Sequence, residues 1–336
     1  MTPVRLAIVG CGAIAELGHL PAVALTPEVE ITLLVDRDGD RARTLADRFG
    51  IARVATDLAE VADHAEAACV ALPHHIHRSA TEALLGQGLH VLIEKPLATG
   101  TADCDSMVDA ADRAGRVLAV AMARRFCPAS RYLKQLVVSG MLGPIDRVTI
   151  LSGVGDVWPA QSLYLLRAQE SGGGVLMANG CHDLDILTWL LGPVGSFECR
   201  IDSAFGLEGN CRIDCTMESG TVGVVELSRT RTLANVIRLE GRLGIAEAPL
   251  MGDSVSIVPG RGDVPLAGRT AVAPFDFARV MADQLADFAR AVRGMHPPLV
   301  DGRSGRDIVA LIERCYAAAQ PMELPWLRPV AVPVAA

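Results

Sequence analysis

The sequence predicts an α/β protein with two domains. The first is a Rossmann domain with a doubly wound parallel sheet, and the second is an α+β domain with an open, mostly antiparallel sheet. In the first third of the chain, short apolar segments alternate with segments of helical spacing, which is typical of a parallel sheet covered by helices. Between about residues 198 and 247, extended segments follow one another without helices, which indicates antiparallel strands. A length of 336 residues suits two domains, and we divide the chain into residues 1–122 and 123–336.

In the first domain, five apolar segments are short enough to be buried strands. They are Arg5–Val9, Ile31–Val35, Ala67–Leu72, His90–Ile93 and Arg116–Val120. The segments between them with helical periodicity are Ala13–Leu25, Arg41–Phe49, Arg78–Gln87 and Thr101–Ala114. Each of the last three is followed by glycine, which is typical of a helix end.

The second domain mixes helices with consecutive strands. The predicted helices are Ser130–Ser139, Gly180–Leu191, Phe277–Val292 and Gly305–Ala319. The predicted strands are Arg147–Leu151, Cys199–Asp202, Cys211–Met217, Val222–Thr230 and Val236–Glu240. Pro249–Pro274 is rich in glycine and proline, so it predicts a loop with short strands.

Composition excludes several classes of function. The net charge is −8 and no basic block occurs, which argues against nucleic acid as a partner. No uncharged apolar run reaches the roughly 18 residues that a membrane span needs, and the N-terminus lacks the pattern of a signal peptide. The nine cysteines contain no Cys-x-x-Cys, so we expect reduced thiols, no metal site and a cytoplasmic protein.

A glycine-rich turn follows the first predicted strand and opens the first helix. Its residues are Gly10, Cys11, Gly12, Ala13 and Ile14. Such a turn lets the backbone approach a pyrophosphate, and the helix N-terminus supplies free N–H groups. Asp36 ends the second strand, where a carboxylate binds the ribose hydroxyls of a dinucleotide. Asp36 favours NAD by repelling a 2′-phosphate, while Arg37 beside it keeps NADP possible.

Lys95 is unusual in this composition. Only two of the 31 basic residues are lysines, Lys95 and Lys134. Arginine does not release its proton near neutral pH, whereas a lysine ammonium can be tuned to transfer one. Lys95 lies between Glu94 and Pro96 at the end of a predicted strand, so it is a candidate acid/base.

Several motifs occur together in a fixed order. After the glycine turn and Asp36, they are Ala71-Leu72-Pro73-His74-His75-Ile76-His77, Glu94-Lys95-Pro96, Arg124-Arg125-Phe126, and Gly172-Gly173-Gly174-Val175-Leu176 with Gly180-Cys181-His182-Asp183-Leu184-Asp185. By these motifs the chain resembles the glucose–fructose oxidoreductase/inositol dehydrogenase/MocA family over residues 5–326.

The resemblance implies an NAD(P)-dependent oxidoreductase that acts on sugars, cyclitols or their derivatives. It implies that Lys95 transfers the proton, that Glu94 lies near the nicotinamide ribose, and that His182 points at the substrate. It also implies that Leu72, Pro73 and His77 line the nicotinamide side. In this family the second domain often forms the oligomer interface, so a homodimer or homotetramer through the C-terminal sheet is expected.

The chemistry agrees with these roles. Oxidation of an alcohol removes its hydroxyl proton as hydride leaves the same carbon, and a lysine near a cationic nicotinamide can accept that proton. His182, near its unperturbed pKa, can hold or relay the proton. Further candidates for binding the substrate are Arg124, Arg125, Trp158, Arg167, Asn179 and Asp183.

One departure from the family pattern affects the acid/base set. The family usually has an aspartate four residues before the histidine, and Ala178 occupies that position here. Three explanations are open: Lys95 and His182 suffice, or Asn179, Asp183 or Asp185 takes over, or the protein binds nucleotide as a sensor without turnover. A redox-neutral enzyme with a retained NAD is a further alternative.

Overall fold

The computed structural model describes residues 2–154, 162–202, 207–259, 268–272 and 274–322. The strands of the first domain are β1 (Val4–Val9), β2 (Val29–Val35), β3 (Val54–Ala55), β4 (Ala67–Val70), β5 (His90–Glu94) and β6 (Leu118–Ala121). They form a parallel sheet in the order β3-β2-β1-β4-β5-β6, which is the strand order of a Rossmann fold. This confirms the predicted class of the first domain.

Helices cover both faces of this sheet. The first helix contains a π-helical segment, Ala15–His19, that continues into α1 (Leu20–Val23). The others are α2 (Gly39–Phe49), α3 (Val61–His64), α4 (His77–Gly86) and α5 (Thr101–Ala114), with 3₁₀ turns at Leu58–Glu60, His74–Ile76 and Ala123–Phe126. The Asp38 side chain caps α2 by accepting from the N–H of Arg41.

The second sheet is larger and mixed. Its strands are β7 (Ile145–Ser152), β8 (Val194–Ile201), β9 (Asn210–Met217), β10 (Val222–Ser228), β11 (Val236–Gly241), β12 (Gly244–Pro249), β13 (Ser254–Pro259), β14 (Gly268–Ala271) and β15 (Gln320–Pro321). The order is β14-β13-β12-β11-β7-β10-β9-β8-β15, and only β7/β10 and β8/β15 pair in parallel among the described strands. The predicted open, mostly antiparallel sheet is therefore confirmed.

The later helices connect the two sheets. They are α6 (Pro128–Val138), α7 (Ala168–Ser171), α8 (Cys181–Leu191), α9 (Phe277–Val292) and α10 (Gly302–Ala317), with a π-helical segment, Leu176–Gly180, before α8 and a 3₁₀ turn at Tyr164–Leu166. No helix in the described ranges combines the length and apolar character that crossing a bilayer requires.

Although α9 and α10 lie late in the sequence, they pack on the first domain. Met281 and Phe288 of α9 share a buried cluster with Leu6 and Leu34 of the parallel sheet. In α10, a Cβ on Gly305 would lie 2.6 Å from Cγ2 of Val120, so this helix lies close against β6. The end of the chain thus completes the first domain and fixes the second sheet relative to it.

The carboxyl ends of β1, β4 and β5 meet at one edge of the parallel sheet, because neighbouring parallel strands end on the same side. Gly10, Pro73 and Lys95 follow these three strands. Strands β4 and β6 are completely buried, so this edge rests on a rigid support.

Candidate active site

The glycine turn after β1 has the geometry that a dinucleotide needs. Gly10 has φ of +99°, and a Cβ there would lie 2.4 Å from the carbonyl oxygen of Ala71, so any side chain would clash. At Gly12 the nearest atom to such a Cβ is the same oxygen, 4.0 Å away, which leaves the space beside the turn open. The helix begins directly after this turn at Ala13 and Ile14.

Asp36 connects the end of β2 to this turn. Its carboxylate accepts from the N–H of Cys11 at 2.7 Å and from the N–H of Asp38 at 3.0 Å. Arg37 is exposed beside it, and Arg41 donates to the carbonyl of Cys11. A carboxylate oxygen has lone pairs beyond these bonds, so the turn, helix and Asp36 together fit NAD. We call Gly10, Gly12 and Asp36 the nucleotide end.

Lys95 follows β5, and its ammonium reaches into the second domain. Its Nζ donates to the carbonyl oxygen of Ala178 at 2.9 Å. The bond spans the two domains and places Lys95 beside the π-helical segment Leu176–Gly180 that leads to His182. At the position where the family usually has an aspartate, a backbone carbonyl therefore holds the lysine.

Glu94 is anchored from behind by a histidine that the sequence analysis missed. Its Oε1 lies 2.9 Å from Nε2 of the fully buried His19, and its Oε2 accepts from the N–H of Lys95 at 3.3 Å. Burial lowers the pKa of His19, but contact with Cys69 and Glu94 outweighs it and raises that pKa to about 10. Burial raises the pKa of Glu94, and the bond from His19 with its charge brings it below the usual value. The two form a buried ion pair.

His182 is neutral at neutral pH. The ring is half-buried, and its Nδ1 is shielded from solvent without a hydrogen-bond partner among the described residues. Burial and the positive charges of Lys95 and Arg124 hold the pKa of His182 well below its usual range. The expectation of an ordinary pKa for this histidine is therefore wrong, because burial and then two nearby cations disfavour its protonated form.

The aspartates that follow His182 are engaged elsewhere. Asp183 is fully buried and accepts from Nη1 of Arg124. Asp185 accepts two bonds from Arg125, at 2.9 Å from Nε and 2.7 Å from Nη2. Each of these aspartates is thus paired with an arginine of the turn Ala123–Phe126.

Two further sequence candidates differ from their expected placement. His77 is fully buried, and its ring nitrogens lie 2.8 Å from the carbonyl of Leu72 and 2.9 Å from that of Pro96. It therefore links the loop after β4 to the loop after β5. It does not line the cofactor site, because no part of its ring is exposed. Arg167 is exposed and pairs with Glu170 at 2.9 Å. Trp158 lies outside the described residues.

His74 and Tyr164 form a second contact over this edge. Nδ1 of His74 donates to the carbonyl of Ser171 at 2.9 Å, so its Nε2 accepts from the Tyr164 hydroxyl at 3.2 Å. Burial, His77, Lys95 and Arg229 hold the pKa of His74 well below its usual range, which keeps the ring neutral. His74 stands where the family usually has asparagine.

The glycine run 172–174 is shaped by Glu208. Its carboxylate accepts from the N–H groups of Gly174 and Leu176, both at 2.9 Å, and from the Tyr316 hydroxyl at 2.7 Å. A Cβ on Gly174 would lie 2.1 Å from the Glu208 carbonyl oxygen. Position 174 therefore needs glycine because Glu208 lies directly against it, while a Cβ at Gly172 or Gly173 would instead meet Thr99 or Tyr316.

Arg229 also reaches the site, just after β10. Its Nη2 lies 3.4 Å from Oδ1 of Asn179, the residue after Ala178. We call Lys95, Asn179, His182 and Arg229 the substrate end. Sequence reasoning missed Arg229 because an arginine at the end of an apolar strand carries no motif.

Comparison with known proteins gives consistent matches along the chain. Residues 4–122 match the model described as an oxidoreductase family with an NAD-binding Rossmann fold, and residues 130–247 match the GFO/IDH/MocA C-terminal domain. The D-apiose dehydrogenase of Paraburkholderia graminis is 32% identical over 256 residues, which cover 71% of this chain and 67% of that protein. The D-glucoside 3-dehydrogenase of Escherichia coli is 30% identical over 214 residues, covering 62% and 61%.

Among solved structures, the aldose–aldose oxidoreductase from Caulobacter crescentus, complexed with glycerol, matches with a TM-score of 0.83. It is 25% identical in sequence, and the match covers 94% of this chain and 97% of that one.

Proposed function

This chain belongs to the GFO/IDH/MocA oxidoreductases, whose N-terminal domain is an NAD-binding Rossmann fold, and on that premise we propose its reaction. It interconverts a secondary alcohol and a ketone on a sugar, a cyclitol or a sugar derivative, with Lys95 as acid/base. The observation that carries this proposal is the position of the Lys95 ammonium, 2.9 Å from the Ala178 carbonyl and beside His182. The names of two relatives, D-apiose dehydrogenase and D-glucoside 3-dehydrogenase, support a sugar as the substrate.

The nucleotide end holds the cofactor in this proposal. The glycine turn and the helix after it bind the pyrophosphate, Asp36 binds the ribose, and Leu72, Pro73 and Glu94 lie on the nicotinamide side. When bound, NAD supplies the group that accepts or returns the hydride. The buried His19 ion pair keeps the Glu94 carboxylate fixed, so the neighbouring Lys95 starts from a defined backbone position.

The substrate end moves the proton. In the oxidation, the carbinol carbon loses hydride and the hydroxyl proton passes to the neutral amine of Lys95, leaving a carbonyl group and an ammonium. In the reduction, the ammonium returns the proton to the carbonyl oxygen. The Ala178 carbonyl positions the lysine but takes up no proton. The neutral His182 orients the substrate hydroxyl by a hydrogen bond.

The proposal is tested with a panel of sugars, cyclitols and ketosugars. Each compound is mixed with the purified protein and NAD⁺, NADP⁺, NADH or NADPH, and the absorbance band of the reduced nicotinamide is followed. We expect a change with at least one compound, with NAD preferred. If neither NADH nor NADPH fluorescence shifts on adding the protein, the proposal fails at cofactor binding.

A second candidate is transfer between two sugars with NAD retained in the site. The name of the relative from Caulobacter crescentus, an aldose–aldose oxidoreductase, supports it. It predicts that denaturing the purified protein releases nucleotide, and that one sugar is oxidised while another is reduced without added cofactor. Nucleotide-free protein that needs added NAD⁺ would exclude this candidate.

We also propose a cytoplasmic homodimer or homotetramer through the second sheet. The nine cysteines are all buried and unpaired, which suits a reducing compartment. One face of the sheet is covered, and the other carries ion pairs between neighbouring strands, such as Arg200 with Asp214 and Arg212 with Glu226. Light scattering of the purified protein gives the assembly size, and a monomer at micromolar concentration would contradict this part.

A further inference from the structure

Arg229 is a half-buried cation that has no carboxylate partner among the described residues. It follows β10, and its guanidinium donates a hydrogen bond of 3.4 Å to the Asn179 amide oxygen. Burial lowers the pKa of Arg229. The negative charge of Glu208 acts in the opposite direction and raises this pKa more than any other group does. That carboxylate already accepts from Gly174, Leu176 and Tyr316, and it lies beyond ion-pair distance from Arg229.

Three other buried cations near the site are each matched by one acid. Arg124 pairs with Asp183, Arg125 with Asp185, and His19 with Glu94. Because a buried charge is costly unless it is paired, this matching is what a stable interior requires. Arg229 and Lys95 both depart from it among the described residues, since each donates to an uncharged oxygen. In the proposed function Lys95 exchanges its proton, whereas an arginine keeps its charge, so the ligand is the natural source of the negative charge opposite Arg229.

Arg229 and Lys95 face the same short segment. Lys95 donates to the carbonyl of Ala178, and Arg229 donates to the side chain of the next residue, Asn179. Both charges also act on the pKa of the buried His74. Because Ala178 and Asn179 are consecutive, the guanidinium and the Lys95 ammonium contact neighbouring residues of the second domain.

We propose that the substrate carries a carboxylate, which Arg229 binds, so that the natural substrate is a polyhydroxy acid such as an aldonate or a uronate. This inference rests on the function proposed above. A guanidinium binds a carboxylate with two parallel hydrogen bonds. Because Lys95 enters the proposed oxidation as a neutral amine, the guanidinium balances one negative charge, which suits a carboxylate better than a doubly charged phosphate. Asn179 accepts from one N–H group of the Arg229 guanidinium, and the other N–H groups of that guanidinium remain for the ligand.

The test compares each sugar acid with its uncharged amide. Wild-type protein with NAD⁺ is assayed on uronates, aldonates, their amides and the corresponding sugar phosphates. We expect kcat/KM to be about 10- to 100-fold higher for the preferred acid than for its amide, the range expected of one charge-assisted contact. Arg229→Gln retains an amide beside Asn179. It should lower kcat/KM for the acid but not for its amide, so the preference for the acid is lost. Arg167→Gln, at an exposed arginine, is the matched control and should leave the ratio unchanged.

Binding of NADH, followed by fluorescence, checks that each variant is folded. Equal kcat/KM for acid and amide in the wild type would overturn the inference, as would an equal loss on both in Arg229→Gln or a preference for sugar phosphates. Turnover of neutral sugars alone would leave the proposed function standing and remove the carboxylate. If no compound of any charge is turned over although NADH binds, the proposed function itself fails.

Discussion

The nucleotide end keeps its shape mainly through backbone atoms, whereas the substrate end is assembled from charged side chains of distant segments. At the nucleotide end, the close approach of Gly10 to Ala71 and the bonds from Cys11 and Asp38 to Asp36 involve the first residues after three neighbouring strands, β1, β2 and β4. At the substrate end, the bond from Lys95 to Ala178 joins residues 83 positions apart. We therefore expect that one end can stay constant while the other changes its ligand.

The largest effect that tests this comparison is expected at Lys95. Lys95→Met should lower kcat by roughly 10²- to 10⁴-fold, because general acid–base catalysis contributes that much, while NADH binding stays nearly intact. Lys134→Met is the matched control. That lysine donates to the carbonyl of Trp189 in another part of the protein, so its loss should leave kcat unchanged.

Steady-state assays and fluorescence titration with NADH measure the two quantities separately. If Lys95→Met loses nucleotide binding together with turnover, the two ends are not independent. Retained turnover would instead remove Lys95 from the mechanism.

The second effect concerns the ion pair beneath the nucleotide end. His19→Gln removes the cation from a buried pair with Glu94, which should cost about 3–5 kcal/mol of unfolding free energy. In the folded protein the pKa of His19 is raised from 6.5 to about 10, so the stabilisation is complete below pH 6.5 and is lost as the pH rises towards 10.

Urea unfolding between pH 6 and pH 10 checks this on wild type and variant. The wild type should lose stability across the range, and His19→Gln should show a flatter profile. His296→Gln, which replaces an exposed histidine, is the control. Its unfolding free energy should change with pH as steeply as that of the wild type. An unchanged slope in His19→Gln would show that the histidine is not charged in the folded protein.

The smallest effect is expected on the choice of nucleotide. Asp36→Ser removes the charge that repels a 2′-phosphate and leaves Arg37 exposed beside the site. The preference for NAD over NADP should fall by about 10- to 100-fold in kcat/KM, the range for one charged hydrogen-bonding group. Asp38→Ser, which retains a helix cap for α2, should leave the preference unchanged. A constant preference in Asp36→Ser would place the ribose contact elsewhere.

The same contrast explains what could be predicted from the sequence. The parallel strands and the glycine turn follow from local periodicity and from turn chemistry, both of which act over a few residues. Strands β13 and β14 lie in the segment that the sequence predicts only as a loop with short strands, because glycine and proline hide their alternation, and β12 is not among the predicted strands. The packing of α9 on the first domain has no local signal, since it depends on a contact between the two ends of the chain.

Partners of charged side chains are the part that sequence reasoning could not provide. Arg124 was a candidate for the substrate, yet it pairs with Asp183, 59 residues later. His19 pairs with Glu94 over 75 residues, and a histidine within an apolar helix gives no sign of that. Arg229 carries no sequence motif, and its lack of a carboxylate partner among the described residues is a property of the folded structure alone. Ion pairs depend on which side chains lie close together in the folded protein, and a single sequence does not contain that information.

The most direct test of the central claim, that Lys95 transfers the proton, is chemical rescue of Lys95→Ala. The variant is assayed with its substrate and NAD⁺ in the presence of increasing concentrations of ethylamine, which fits the space of the missing side chain. We predict that ethylamine restores turnover in proportion to its concentration, and that a quaternary amine of similar size, which carries no exchangeable proton, does not. No rescue in a variant that still binds NADH, or equal rescue by both amines, would contradict the assignment of Lys95 as acid/base.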